Sequence, residues 1–445
     1  MALGKEKEIV VAIEIGSSKI RGAAGYKNTD GSLQVLALEQ ADARNCIRKG
    51  TVSNIDKTVM CLKHIIEKIE EQLDKKVTKV YVGIGGQSLR TKKNELSRQF
   101  AAKTAVTQEM VDSLLEENGN TVYPGCEFLD VIAQEYRVGL DTTTDPVGVL
   151  SNKIEGTFLN VIARAEIRMY VTKCIEASGL KVAGFFVSPL AVASCVLTDA
   201  ERRMGCALID FGYGTTTVVV FKNNLLRRLA VIPLGGNNIT QDLCCEQMEE
   251  DEAEDLKQKY GSAFVETDDD EAPRKIPMSE GRTIDGQHFD EVVEAREEEI
   301  LANIMEQIRN SGFQEKLLAG VVISGGASNI KNLEKAVKER LHVTKIRFVR
   351  FVPFAVPISH LEKLTKDGSL NTLLSLLYKG SDNCVEEKAT EPIVPSVNEE
   401  QPAEPKEESE LKGENEGRKK VEKKESLWKK IKRSLENFTE TVTEE

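Results

Sequence analysis

The chain has 445 residues, 40% of them hydrophobic, which is more apolar material than one ordinary core holds, so two lobes or several subdomains are expected. A net charge of −12 disfavours general nucleic-acid binding, which needs a basic stripe to displace counterions from phosphates. No window reaches the roughly 20 apolar residues of a membrane-spanning helix, and no basic-then-apolar leader opens the chain, so the cytoplasm is the expected compartment.

In chain order, residues 9–13 read as a strand, Glu14-Ile15-Gly16-Ser17-Ser18-Lys19 as a tight turn, and the run ending near Tyr26 as a second strand. A helix is predicted from Asp56, where Val59, Leu62, Ile66 and Ile69 recur at spacings of three and four, and a strand over residues 77–84. Residues 85–165 change character: a helix at 107–117 stands before two β-rich runs, 130–140 and 156–165, and the stretch reads as an inserted subdomain.

At Cys206 the opening pattern returns. Ala207 to Val218 align with residues 11–22 at an offset of 196, so that Glu14 falls on Asp210 and Gly16 on Gly212. Further on, Val321-Val322-Ile323-Ser324 runs into Gly325-Gly326, a turn read as opening a helix from Asn329. The nine cysteines include no C-x-x-C pair and read as reduced, buried small hydrophobes. Cys244 and Cys245 are adjacent on a helix, where neighbours point about 100° apart, and read as packing.

From about Ser381 the composition shifts. Residues 381–424 hold four of the twelve prolines, no aromatic residue and a crowd of Glu and Lys, too little apolar surface to fold, so a flexible linker is expected. Residues 425–442 restore order: Leu427, Trp428, Ile431, Leu435, Phe438 and Val442 fall within one helical arc, with Lys429, Lys430, Lys432 and Arg433 on the remaining surface. A narrow apolar face carrying the only tryptophan, beside four cations, suits a helix lying in the headgroup boundary of an anionic membrane. The rival readings are a helix docked in a groove and a packed core face.

A hairpin turn of glycine and small hydroxyl residues lets successive backbone N–H groups converge on an anion. Gly16, Ser17, Ser18 and Lys19, and likewise Gly212, Gly214, Thr215 and Thr216, fit that description as phosphate contacts. Glu14 and Asp210, closing the preceding strands, would hold Mg²⁺ through its bound waters. At Gly325, Gly326 and Ser328 a flat base can lie against bare backbone. A Gly-Gly turn alone marks many ordinary loops, and it is the order and spacing of the three pieces that carry the reading.

Two acidic hairpins and a strand-Gly-Gly turn in this order resemble the phosphate and adenosine motifs of the actin, Hsp70 and sugar-kinase superfamily. Ile47-Arg48-Lys49-Gly50, Val82-Gly83-Ile84-Gly85-Gly86, Ser188-Pro189-Leu190-Ala191 and Leu234-Gly235-Gly236-Asn237-Asn238-Ile239-Thr240 resemble the FtsA cell-division family over nearly the whole chain. The resemblance implies an α/β, actin-like two-lobed ATPase fold with an FtsA-type inserted subdomain, a disordered linker and a terminal amphipathic helix. The implied division is 1–84 and 166–200 for lobe 1, 85–165 for the insert, 201–380 for lobe 2 with a partner-binding subdomain at about 241–310, 381–424 for the linker and 425–442 for the helix.

It further implies ATP and Mg²⁺ as cofactors, a third phosphate contact at Gly235, Gly236 and Asn237, and a base and ribose contact at Glu254 and Lys257, which share one helix face. A solvated helix with incidental ion pairs is the alternative for the last two. Leu427, Trp428, Lys429, Lys430, Ile431, Lys432, Leu435 and Phe438 become the membrane contacts of a peripheral protein at the division site. The implied partners are the tubulin-like protein FtsZ, further copies of the chain, other division proteins and an anionic membrane surface, without nucleic acid. The implied role is an adaptor that polymerises and tethers FtsZ filaments to the membrane.

Glu14 replaces the Asp usual in superfamily hydrolases, so hydrolysis is expected to be slow at most, and no catalytic residue is assigned. A sugar or acetate kinase would need a catalytic carboxylate beside a polar substrate pocket, and none stands out. A chaperone of the Hsp70 type would need a folded peptide-binding domain after the ATPase. A PilM-like pilus-assembly protein shares the insert but lacks the terminal helix.

Overall fold

Two hairpins of the same design organise the molecule, which we describe from a computed structural model over residues 7–265, 274–357 and 365–386. The first lies in β1 (Val10–Ile15) and β2 (Lys19–Lys27), followed by β3 (Leu33–Asp42), the short ladder β4 (Ile47–Arg48) and β5 (Thr51–Val52), helix α1 (Ile55–Leu73) and β6 (Lys79–Ile84). Asn54 caps α1 by accepting from the N–H of Lys57, and the helix ends at Asp74 in the left-handed region. Of the residues whose spacing predicts the helix, Leu62, Ile66 and Ile69 are buried and Val59 is half-buried, with Ile65 joining the buried face.

The insert comprises β7 (Arg90–Ala105), α2 (Gln108–Gly119), β8 (Cys126–Val138), β9 (Asp141–Thr143) and β10 (Leu150–Arg164). Strand β7 is not among the predicted elements: its side chains are largely exposed, and it is held by a long antiparallel register with β10 rather than by apolar alternation. Helix α3 (Ala165–Ala177), β11 (Lys181–Val187) and α4 (Ser188–Val196) then complete the first lobe's central layer.

The second lobe follows with α5 (Asp199–Met204), the second hairpin in β12 (Cys206–Phe211) and β13 (Thr216–Lys222), β14 (Leu225–Ile232), α6 (Gly236–Cys244) and α7 (Glu250–Tyr260). After these come β15 (Lys275–Pro277), β16 (Thr283–Asp285), the long α8 (Gly286–Arg309), β17 (Gly320–Ser324), α9 (Leu333–Leu341) and β18 (Ile346–Phe348). The chain finally returns to the first lobe with β19 (Ala355–Pro357) and α10 (Asn371–Lys379).

One sheet runs β11-β6-β1-β2-β3-β19 and the other β18-β17-β12-β13-β14-β7-β10-β8-β9. In each, the hairpin strand carrying the acidic residue pairs in parallel with a strand beyond it, β1 with β6 and β12 with β17. Although the insert interrupts lobe 1 in sequence, its strands continue the sheet of lobe 2. The join is narrow: Ala230 pairs with Arg90, and the Thr91 hydroxyl both accepts from the Leu229 N–H and donates to its carbonyl.

One apolar core lies about the first sheet, with Ile13, Leu62, Val82 and Leu374 among its members. A second, around Ile209, Ile304 and Ile323, fills lobe 2, and a third, around Leu243, Ile284 and Phe289, fills the subdomain of α6, α7 and the start of α8.

Residues 381–386, read from the sequence as the start of the linker, belong to lobe 1. Cys384 is buried and its N–H donates to the Ile9 carbonyl, Val385 bridges to Val77, and the Glu386 N–H donates to the Lys76 carbonyl. The rest of the expected linker and the expected amphipathic helix at 425–442 lie outside the described residues.

Candidate functional site

The two hairpin turns are superimposable in their bonding. The Gly16 N–H donates to the Lys19 carbonyl at 3.1 Å, and the Gly212 N–H to the Thr215 carbonyl at 2.9 Å. At both glycines a Cβ would stand 2.6–2.7 Å from that same carbonyl oxygen, so the tightness of the turn, rather than an unusual φ, selects glycine.

The turns face each other. Gly214 approaches Ser17 so closely that a Cβ would lie 3.0 Å from the serine Oγ. The Ser17 hydroxyl accepts from the Gly50 N–H at 2.7 Å, and Gly50 in turn packs against Gly86, both with positive φ. Thus the Lys49-Gly50 and Gly85-Gly86 motifs brace the first turn from behind. The second is braced by Gly235 to Asn237: the N–H of Gly236 donates to the Gly212 carbonyl and that of Asn237 to the Tyr213 carbonyl.

Between the turns lies a cavity of about 580 Å³, lined at one end by Glu14, Gly16, Ser17, Ser18, Lys19, Asp210, Gly212, Gly214 and Thr215. Burial pushes both carboxyls up, Glu14 against the opposing pull of Arg21 at 3.5 Å, and Asp210 to about 7 with repulsion from Glu14 adding to the effect. Two carboxyls raised by burial, with Glu14 repelling Asp210, form a site that gains by taking up a cation, and the donor set fits Mg²⁺.

At the other end, Gly236, Ile239, Gly326, Ala327 and Ile330 make an apolar slot with Glu254, Lys257 and Gln258 beside it. Lys257 donates to the Gly236 carbonyl, the Thr240 hydroxyl and Glu254, at 3.0, 2.8 and 2.6 Å. Although burial opposes it, Lys257 holds the Glu254 carboxyl below its ordinary range, so the pair is ionised and fixed rather than an incidental surface contact. Gly325, at φ 92°, lets the turn pass the Asp210 carboxylate, where a Cβ would come within 2.6 Å of Oδ1.

Four predicted contacts stand behind the cavity wall. Thr216 donates its hydroxyl to the Leu234 carbonyl, Ser328 donates to the Gly325 carbonyl, and Gly235 and Asn237 pack on the second turn. The helix expected from Asn329 begins later: Gly326–Asn329 is one 3₁₀ turn, and α9 starts at Leu333 after Lys331 has bridged to Ser262. Arg21, Tyr213, Gln258, Asp367, Gly368 and Ser369 line the cavity without having been singled out. The Asp367-Gly368 turn before the apolar run of α10 was the one available signal for the last three.

Two family descriptions match the sequence: "Cell division protein FtsA" over residues 207–372 and "SHS2 domain inserted in FTSA" over residues 86–162. The FtsA of Porphyromonas gingivalis is 31% identical over 394 residues, which cover 86% of this chain and 81% of that protein. The chain belongs to the FtsA family. The FtsA of Escherichia coli K12 is 26% identical over 396 residues, covering 86% of this chain and 93% of that protein. Among solved structures, a PilM-PilN type IV pilus biogenesis complex matches with a TM-score of 0.60 at 14% identity, covering 83% of this chain and 97% of the other, a likeness of fold alone. The fold is actin-like, with the FtsA-type subdomain inserted, and the chain is a cell-division protein of that family.

Proposed function

We propose that this FtsA-family chain is an ATP-binding adaptor that polymerises, lies on the cytoplasmic face of the cell membrane at the division site, and tethers FtsZ filaments there during septum assembly. The observation that carries the nucleotide part is the pair of equivalent glycine turns facing each other over two buried carboxyls.

In this reading the turns Gly16 to Lys19 and Gly212 to Thr215 hold the phosphates through the amides that follow each glycine, since the N–H groups of Gly16 and Gly212 themselves close the turns. Glu14 and Asp210 would hold Mg²⁺ through water, and the ion would supply charge neutralisation for the phosphates. Glu254 and Lys257 contact the ribose and base, and the base lies over Gly325 and Gly326. Since the two turns belong to different lobes, a phosphate held by both draws the lobes together, which couples nucleotide to assembly. Hydrolysis is slow at most and is not required for tethering.

The membrane part rests on the sequence of residues 425–442, whose apolar stripe and four cations suit an anionic surface. One such helix binds marginally, and a polymer carrying many binds firmly. FtsZ would engage the subdomain at about 241–310.

Calorimetry with Mg·ATP tests the first part: Asp210→Ala should abolish the binding heat, and wild-type affinity in that variant would sink the assignment. Co-sedimentation with anionic vesicles tests the second: Trp428→Glu should leave the protein in the supernatant, and undiminished pelleting would exclude the helix as the anchor.

A further inference from the structure

On α7 the residues Glu254, Lys257 and Gln258 follow the i, i+3, i+4 spacing of a single helix face, and all three line the cavity at its apolar end. Gln258 stands at the rim. Its Nε2 donates to Glu254 Oε1 at 2.8 Å, while Glu254 Oε2 receives both Lys257 Nζ and the Thr240 hydroxyl at 2.6 Å. Every oxygen of the carboxylate is therefore engaged.

This network settles the orientation of an amide. An ionised carboxylate only accepts hydrogen bonds, so the Gln258 amide must turn its nitrogen to Glu254 and cannot flip without setting Oε1 against a carboxylate oxygen. What remains for a ligand is a fixed carbonyl acceptor and one N–H beside it. That pattern matches an adenine edge, where an exocyclic amine stands next to a ring-nitrogen acceptor, and it mismatches guanine, whose keto oxygen would face Oε1.

We propose that Gln258 is the residue that selects adenine over guanine nucleotides, with Glu254 as the positioning residue that locks its amide. The inference rests on the nucleotide reading above and adds to it the residue and the atoms by which adenine is chosen. Lys257 shares in the lock by keeping Glu254 ionised, and Ile239 and Ile330 stack on either base without discriminating.

The test is the ratio of ATP to GTP affinity, measured with magnesium by calorimetry on the full chain. The wild type should prefer ATP, and Gln258→Met, of similar length but without polar atoms, should lower that preference about tenfold through weaker ATP binding, the value of one to two neutral hydrogen bonds. Gln258→Lys, which only donates, should lower it further by strengthening GTP. Glu254→Gln should also lower the ratio, because a neutral partner releases the flip, a readout that loss of a merely structural contact would not move. Gln258 is exposed on the helix surface, so folding is not at stake. A preference unchanged in all three variants, or a wild type that binds both nucleotides equally, overturns the inference while leaving the nucleotide site intact. A wild type that binds neither overturns both.

Discussion

Asp210 sits where strand β12 ends, flanked by a glycine that leaves it room and repelled by a second carboxyl, and its proton affinity follows from that place. Because the carboxyl is pushed up to about 7, a proton competes with a cation there at neutral pH. Magnesium-dependent nucleotide affinity should therefore rise between pH 6 and 8, and Asp210→Asn should lose both the affinity and the rise. A pH-independent magnesium effect in the wild type would contradict the carboxyl's role.

Away from the cavity, Glu297 on α8 is also buried, 2% exposed, with Oε2 lacking any hydrogen-bond partner. Burial raises it from its ordinary 4.5 to about 7, only partly offset by Lys257. A carboxyl raised in the folded state favours folding at low pH, and that contribution is lost as the pH climbs from about 4.5 through about 7. In urea unfolding, Glu297→Gln should thus match the wild type in free energy near pH 4.5 and exceed it at pH 8, by on the order of 2–3 kcal/mol. Both acids were visible as letters, but only Asp210 stood in a motif. Nothing in the helical repeat around Glu297 marks it as buried, because an acid in a charged stretch such as 291–299 reads as solvated.

Among the elements, the hairpins were legible because glycine, hydroxyl and acid recur in a fixed order, and α1 because its apolar residues keep a helical spacing. Strand β7 was not, since a strand stabilised by its neighbour's backbone need not alternate. Its polar side chains have partners instead: the Asn94 amide donates to Asn118 and Thr121, and Asn118 and Asn160 exchange hydrogen bonds in the buried layer between α2 and the sheet. Removing Asn160 leaves the Asn118 Nδ2 without its acceptor, and removing Asn118 leaves the Asn160 Oδ1 without its donor, while Asn94 and Tyr123 keep the remaining bonds. Asn118→Leu and Asn160→Leu should each destabilise the fold by about 1–3 kcal/mol, and a double-mutant cycle should show a coupling of about 1 kcal/mol or more. Strict additivity would mean that the pair is not a unit. Likewise Gly325→Ala, forcing a Cβ toward the Phe211 carbonyl at 2.3 Å and Asp210 at 2.6 Å, should cost nucleotide affinity before it costs stability.

For the whole molecule, the duplication and an insert were legible in the sequence, but not the sheet that the insert joins. Strand order is a property of edges, and edges carry no motif. That join makes the insert an extension of lobe 2 through the Ala230–Arg90 pair, the Thr91 hydroxyl and the Arg227 guanidinium, which bonds Gln134 and Glu135 of β8, so a change of lobe angle is carried to the insert through the strip around these residues. The adaptor account requires the nucleotide-gripping unit, the partner-binding surface and the membrane segment to act in one chain. The direct measurement is flotation of FtsZ polymers on anionic liposomes with ATP, comparing the full chain with one ending at Glu422. The account predicts that FtsZ rises only with the full chain; a chain that floats while FtsZ stays behind, or FtsZ rising equally with the truncated chain, would contradict it.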